Sequence, residues 1–166
     1  MAMNIDDVAN YIIVKLSAAG AGLNALKLQK LLYYVQAWSL AIYEKPAFEG
    51  KFQAWVHGPV SRQVFDRFRE THSLYDRVSV RDVPVDFRLE SLPQDLASHI
   101  DEVLESYARF SGSQLEEMTH REEPWIAARK GLPAATRCET EIDEGLMSRF
   151  YAKLLAEVEK EEAAAQ

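Results

Sequence analysis

Between the glycines at 20 and 22 and the proline at 46 lies a segment with almost no polar face, and this segment constrains every other part of the chain. Leu28, Leu31, Leu32, Val35, Trp38 and Ile42 recur at helical spacing, while Leu26, Tyr33, Tyr34 and Leu40 spread the apolar surface around the cylinder. A helix apolar on all sides is stable only when other elements surround it, so it belongs at the centre of a helical bundle. Asn24 is placed to cap its start, and it should end before Pro46. Its polar exceptions, Lys27, Gln29, Lys30 and Gln36, must reach water or a hydrogen-bonding partner, because burying them unpaired is costly. That predicts a structural role for them.

The uncharged run over residues 31–43 is too short to cross a bilayer. The first residues lack both the basic region and the apolar core of a secretory signal, and Cys138 has no second cysteine to pair with. These features predict a soluble cytoplasmic protein with a structural or incidental thiol. Residues 1–72 carry eight Lys or Arg against six Asp or Glu, and residues 73–166 carry eleven against twenty, which makes the halves +2 and −9 within a net −7. Nucleic-acid binding needs clustered positive charge and is disfavoured at the level of the whole chain. The acidic half suits a basic partner surface or a simply solvated face.

The remaining elements follow from periodicity and punctuation. A first helix starts after Asn4 with the stripe Val8, Ile12, Leu16, and residues 48–56 alternate as a short strand. Gly58-Pro59 should set a turn, with Pro59 near the start of a helix through Val60, Val64 and Phe68. Tyr75 to Val85 reads as loop or weak edge strand. A helix introduced by Ser91 and Pro93 buries Leu96, Ile100, Val103, Leu104 and Tyr107, and Ser113 with Glu116 has capping-box spacing for another. Glu123-Pro124-Trp125 starts a further turn or helix, and the last helix runs from about Ile142 through Leu146, Phe150, Leu154 and Val158. With no repeat and no linker, the expectation is one mainly α domain over residues 1–160, a compact helical bundle with a short β-hairpin or small β element, followed by a frayed tail at 161–166.

Catalytic patterns are sparse. The histidines at 57, 72, 99 and 120 form no His-x-x-x-His pair, there is no Gly-x-Ser-x-Gly elbow, and no glycine-rich phosphate loop is present. The sequence therefore predicts no catalytic residue, metal or cofactor. The alternative is a small metal-assisted hydrolase built on His57, His120 and neighbouring carboxylates, which requires those groups to converge in a pocket.

Two segments are more specific than any of these. The run Leu26-Lys-Leu-Gln-Lys-Leu-Leu-Tyr-Tyr-Val-Gln-Ala-Trp38, followed by Phe52-Gln-Ala-Trp-Val-His-Gly-Pro-Val60, and the later Met118-Thr-His-Arg-Glu-Glu-Pro-Trp125 resemble, with Arg149-Phe-Tyr151, the Panacea domain or SocA-like antitoxin family. The resemblance implies an antitoxin that binds and neutralises a cognate protein toxin, with delivery of that toxin to a protease as a further family role. It supplies no catalytic residues. The shared residues Lys27, Gln29, Lys30, Leu31, Tyr33, Tyr34, Trp38, Trp55, Gly58, Pro59, Val60, Thr119 and His120 are expected to define the fold, with Trp38 a buried anchor. Because aromatics dominate protein interfaces, Tyr75, Trp125 and Tyr151 are the expected exposed partner contacts.

Overall fold

In the computed structural model, which describes residues 3–166, the apolar segment is helix α2 (Ala25–Tyr43), and it packs against nearly everything else. Around it lie α1 (Ile5–Ala18), the hairpin β1 (Phe52–Trp55) and β2 (Gly58–Ser61), α3 (Arg62–Phe68), α4 (Gln94–Tyr107), α5 (Gly112–His120), α6 (Glu123–Ala128) and α7 (Glu144–Ala164). The mainly helical bundle with one small β element is thus the observed fold. Leu26, Leu28, Leu31, Leu32, Tyr33, Tyr34 and Val35 of α2 are fully buried, as the all-round apolar pattern demands.

The caps are local and legible. The Asn4 side chain accepts from Asp6 N at 2.9 Å and that of Asn24 from Lys27 N at 2.8 Å, each satisfying an otherwise orphaned helix donor. Helix α2 stops where Glu44 turns left-handed at φ 55°, before Pro46 can be reached. The capping box of α5 is Ser111 with Gln114, not Ser113 with Glu116. Both pairs have the same spacing, and the Ser111 frame is the one that turns Leu115 inward, where it is wholly buried.

Pro59 belongs to β2 and not to a helix start, and α3 begins at Arg62 under the Ser61 cap. In the antiparallel register Ala54 faces Pro59 and Phe52 faces Ser61. Backbone groups of successive residues point to opposite edges, so Pro59 and Ser61, two apart, share the edge turned away from β1, and the missing N–H of Pro59 costs no ladder bond. The outer edge of β1 is covered by residues 140–142, through Ala54 N donating to Thr140 O at 2.8 Å and Ile142 N to Phe52 O at 2.7 Å. Residues 75–85 hold a short 3-10 turn at Val80–Asp82 and no strand, consistent with the charges and proline that interrupt their valines.

At the C-terminus α7 continues to Ala164, past the expected fraying point, because its last turns are rich in Ala, Glu and Lys, which favour helix without packing. Side chains from residue 156 onward are all exposed, so nothing but propensity supports them. Ile42 and Val158, counted in apolar stripes, are also largely exposed. Among the described residues no helix is long and apolar enough to cross a membrane.

Candidate functional site

The polar residues of α2 turn inward and hold backbone. Gln29 closes a two-point contact on Ser61, its Nε2 donating to Ser61 O at 3.1 Å and its Oε1 accepting from Ser61 N at 2.8 Å. Lys30 Nζ donates to Pro59 O at 2.9 Å, and Gln36 serves Phe48 O and Ala47 N at 2.9 and 2.8 Å. Gln29 and Lys30 replace the strand that the outer edge of β2 lacks, and Gln36 ties down the segment before β1, which resolves the cost of placing amides and an ammonium in an apolar core. Lys27 Nζ donates likewise to Ala108 O at 2.6 Å.

Gly58 sits where this contact is tightest. Its φ is +97°, and a Cβ placed there would lie 2.6 Å from Lys30 Cε and 2.9 Å from Thr119 Oγ1. Thr119 is buried and donates to Glu116 O at 2.7 Å, while His120 stacks on Trp125 with ring centres 4.2 Å apart. Lys30, fully buried, has its ammonium pushed down to about 7 by loss of hydration, with Glu116 opposing. A lysine depressed on folding contributes stability that is present above its unfolded value and lost as pH falls through the folded one. Wild-type stability should accordingly rise between about pH 7 and about pH 10, and Lys30→Met should flatten that rise in urea titrations at the two pH values. An equal slope in the variant would place the ammonium in water.

His57 Nδ1 lies 3.1 Å from Glu116 Oε1, and burial holds His120 below the usual imidazole value. The remaining histidines are occupied elsewhere: His99 Nε2 is 2.9 Å from Val35 O, and His72 Nε2 is 3.3 Å from Asp82 Oδ1. No three His, Cys, Asp or Glu side chains among the described residues come together as metal ligands.

A second polar group joins the C-terminal half to α2. Tyr34 and Tyr151 both donate to Glu122 Oε1 at 2.8 Å, and Tyr33 Oη lies 3.1 Å from Tyr151 Oη. Tyr151 has one hydroxyl proton, so giving it to the carboxylate leaves its oxygen to accept from Tyr33. Trp38 Nε1 donates to Tyr107 Oη at 2.8 Å, and the Tyr107 ring stacks on Tyr34 at 4.1 Å. Burial raises the Glu122 carboxyl above the ordinary range, although both tyrosine hydrogen bonds oppose this.

These contacts correct two of the three expected partner residues. Tyr151 is 0 % exposed and Trp125 6 %, the latter donating from Nε1 to Trp55 O at 2.8 Å. Both tie α6 and α7 onto α2 and the hairpin, so neither is an exposed contact. Trp38 is half-buried, an anchor with one edge in solvent. Tyr75 is the exception, 62 % exposed. Sequence reasoning turns Tyr107 inward and quotes Glu122 within a motif without giving either its partner, and it passes over Arg129, which is buried and donates to Ala54 O at 2.8 Å. A carboxylate and a guanidinium read as surface in one dimension, and only their distant partners reveal otherwise.

Comparison with known proteins bears on the same residues. The profile described as Antitoxin SocA-like, Panacea domain, matches residues 28–126. Antitoxin SocA of Caulobacter vibrioides is 32% identical over 130 residues, covering 75% of this chain and 69% of that protein. The chain belongs to the SocA-like Panacea antitoxin family. No solved structure gives a significant match. The span matched by the Panacea profile contains both partners of the Gln29–Ser61 and Lys30–Pro59 contacts that hold the hairpin to α2, and of the Gln36–Phe48 and Trp125–Trp55 contacts beside them.

Proposed function

We propose that this protein is an antitoxin that neutralises a protein toxin by direct, stoichiometric binding. The observation that carries the reading is membership of the Panacea family, with a homologous antitoxin aligned over most of both chains. The interior is compatible with it: the motif residues Gln29, Lys30 and Gln36 are spent on holding backbone. Neutralisation then rests on a surface patch, on the order of 20 to 30 residues for a standard interface.

The test is co-expression with the product of the adjacent gene. That product should be toxic alone, harmless in the presence of this protein, and recovered with it as a complex. A neighbour that is harmless, or toxic but neither bound nor rescued, overturns the reading.

The −9 carried by residues 73–166 favours a toxin with a basic face, attracted over a distance before docking. Association should consequently slow as salt rises from low to physiological, since the Debye length shrinks to about 8 Å. Stopped-flow rates unchanged over that range would remove the steering and leave the complex itself in place.

A further inference from the structure

One cavity differs in charge from the others described. It has a volume of about 500 Å³, opens between the starts of α2 and α5, and is lined by Lys27, Arg77 and Arg109 together with Tyr75, Phe110 and Gln114, with no carboxylate in its wall. The other cavities each include acidic groups: Glu139 in one, Asp95 in another, Asp6 and Asp82 in a third, Glu102 in a fourth. Among the described residues Lys27, Arg77 and Arg109 form no ion pair, as holds also for Arg81, Arg88 and Arg149, but only these three come together around one cavity. Three uncompensated cations thus surround one opening in a chain of net charge −7.

The wall is preformed. Leu26 N donates to Leu74 O and Val78 N to Leu23 O, both at 2.9 Å, and Asn24 bridges Arg77 through the backbone, so the segment carrying Tyr75 and Arg77 is fixed against the start of α2. Gly112 brings the two helix starts together: a Cβ there would lie 3.0 Å from both Asn24 Oδ1 and Lys27 N. Asn24 and Ser111 already cap these helices, so the helix ends supply a positive field and not free donors. Lys27 is held by neutral carbonyls alone, Ala108 O at 2.6 Å and Gly22 O at 3.5 Å, which leave its charge unbalanced.

We propose that this cavity binds a carboxylate-rich segment of the partner protein, its acidic groups meeting Arg77 and Arg109 and an aromatic or aliphatic side chain resting on Tyr75. The identity of the partner as a toxin rests on the antitoxin reading. The cationic patch is too small for an extended nucleic-acid backbone but matches two or three carboxylates, and guanidinium pairs bind these bidentately. A cationic cavity set in an acidic surface also gives the partner a register, since a wholly basic face would be repelled at this point.

The test uses the full-length protein and exposed positions. Against the toxin, the double variant Arg77→Glu/Arg109→Glu should lose at least tenfold in affinity with an unchanged melting temperature, Tyr75→Ala should weaken binding severalfold, and Arg69→Glu, at a different cavity, should bind as wild type does. Equal affinity of the double variant overturns the docking site while the antitoxin reading stands. If wild type binds no toxin, that reading fails, and a second probe decides the cavity: a fluorescent peptide of aspartates and glutamates flanking one phenylalanine. Peptide binding that weakens with salt and falls at least tenfold in the double variant supports the site. No peptide binding, binding indifferent to charge reversal, or tighter binding of a single-stranded oligonucleotide at the same arginines overturns it.

Discussion

Gly58→Ala is expected to destabilise the protein by about 3 kcal/mol or more. Two costs combine. At φ +97° an L side chain is strained, and the new methyl group would fall 2.6 Å from Lys30 Cε and 2.9 Å from Thr119 Oγ1. Lys30 cannot swing aside at little cost, because its Nζ is anchored on Pro59 O and the whole side chain is buried. Moving it would release an ammonium and a carbonyl into the core without partners, each a further penalty. Gly20→Ala is the internal control: φ there is +71°, but nothing lies within 4 Å, so only the backbone cost of about 1 kcal/mol remains. Urea unfolding of the two variants separates the effects. Equal losses would mean that the hairpin does not press on α2 as described.

Tyr151→Ala should cost about 3 to 5 kcal/mol, the range for truncating a buried aromatic. The ring fills space against Tyr33, Tyr34, Trp38 and Phe150, and its hydroxyl is one of two donors to Glu122. Truncation opens a cavity and leaves Glu122, whose charge is already disfavoured by burial, with one donor fewer. Tyr151→Phe keeps the ring and removes the hydroxyl, which gives up the bond to Glu122 and the one accepted from Tyr33, so it should cost about 1 to 3 kcal/mol. In co-expression, Tyr151→Ala would reduce protection by lowering the amount of folded antitoxin, with a matching fall in melting temperature. A variant that melts as wild type does and yet fails to bind toxin would return Tyr151 to the surface and contradict the packing of α7 on α2.

These two variants lie on either side of a division in what could be read from the chain. The existence of α2, its caps at Asn24 and before Pro46, its central position and the stripes of α1 and α4 were legible, because helical period and capping chemistry act over a few neighbouring residues. The expectation that Gln29, Lys30 and Gln36 would need hydrogen-bonding partners was equally local, since it follows from the cost of burying any unpaired polar group. Gly58 beneath Lys30 shows why one residue of the family motif admits no side chain.

The identity of those partners was not legible. Gln29 meets Ser61, Tyr34 meets Glu122, Trp125 meets Trp55 and Tyr151 meets Tyr33 across separations of 32, 88, 70 and 118 residues, and no short-range pattern encodes such pairings. The same limit misplaced Trp125 and Tyr151, because an aromatic has one appearance in sequence whether it faces solvent or another helix. Pro59 was misread because a proline preceding a helical pattern fits a helix start and an outer strand edge equally well, and only the approach of α2 selects the second. The cationic cavity is also a product of folding. Lys27, Arg77 and Arg109 lie far apart along the chain, and they are grouped only where the starts of α2 and α5 are brought together at Gly112. Local chemistry determined which elements form and which polar groups need partners, whereas the burial of aromatics and the grouping of charge depend on contacts between distant residues, which tertiary packing alone decides.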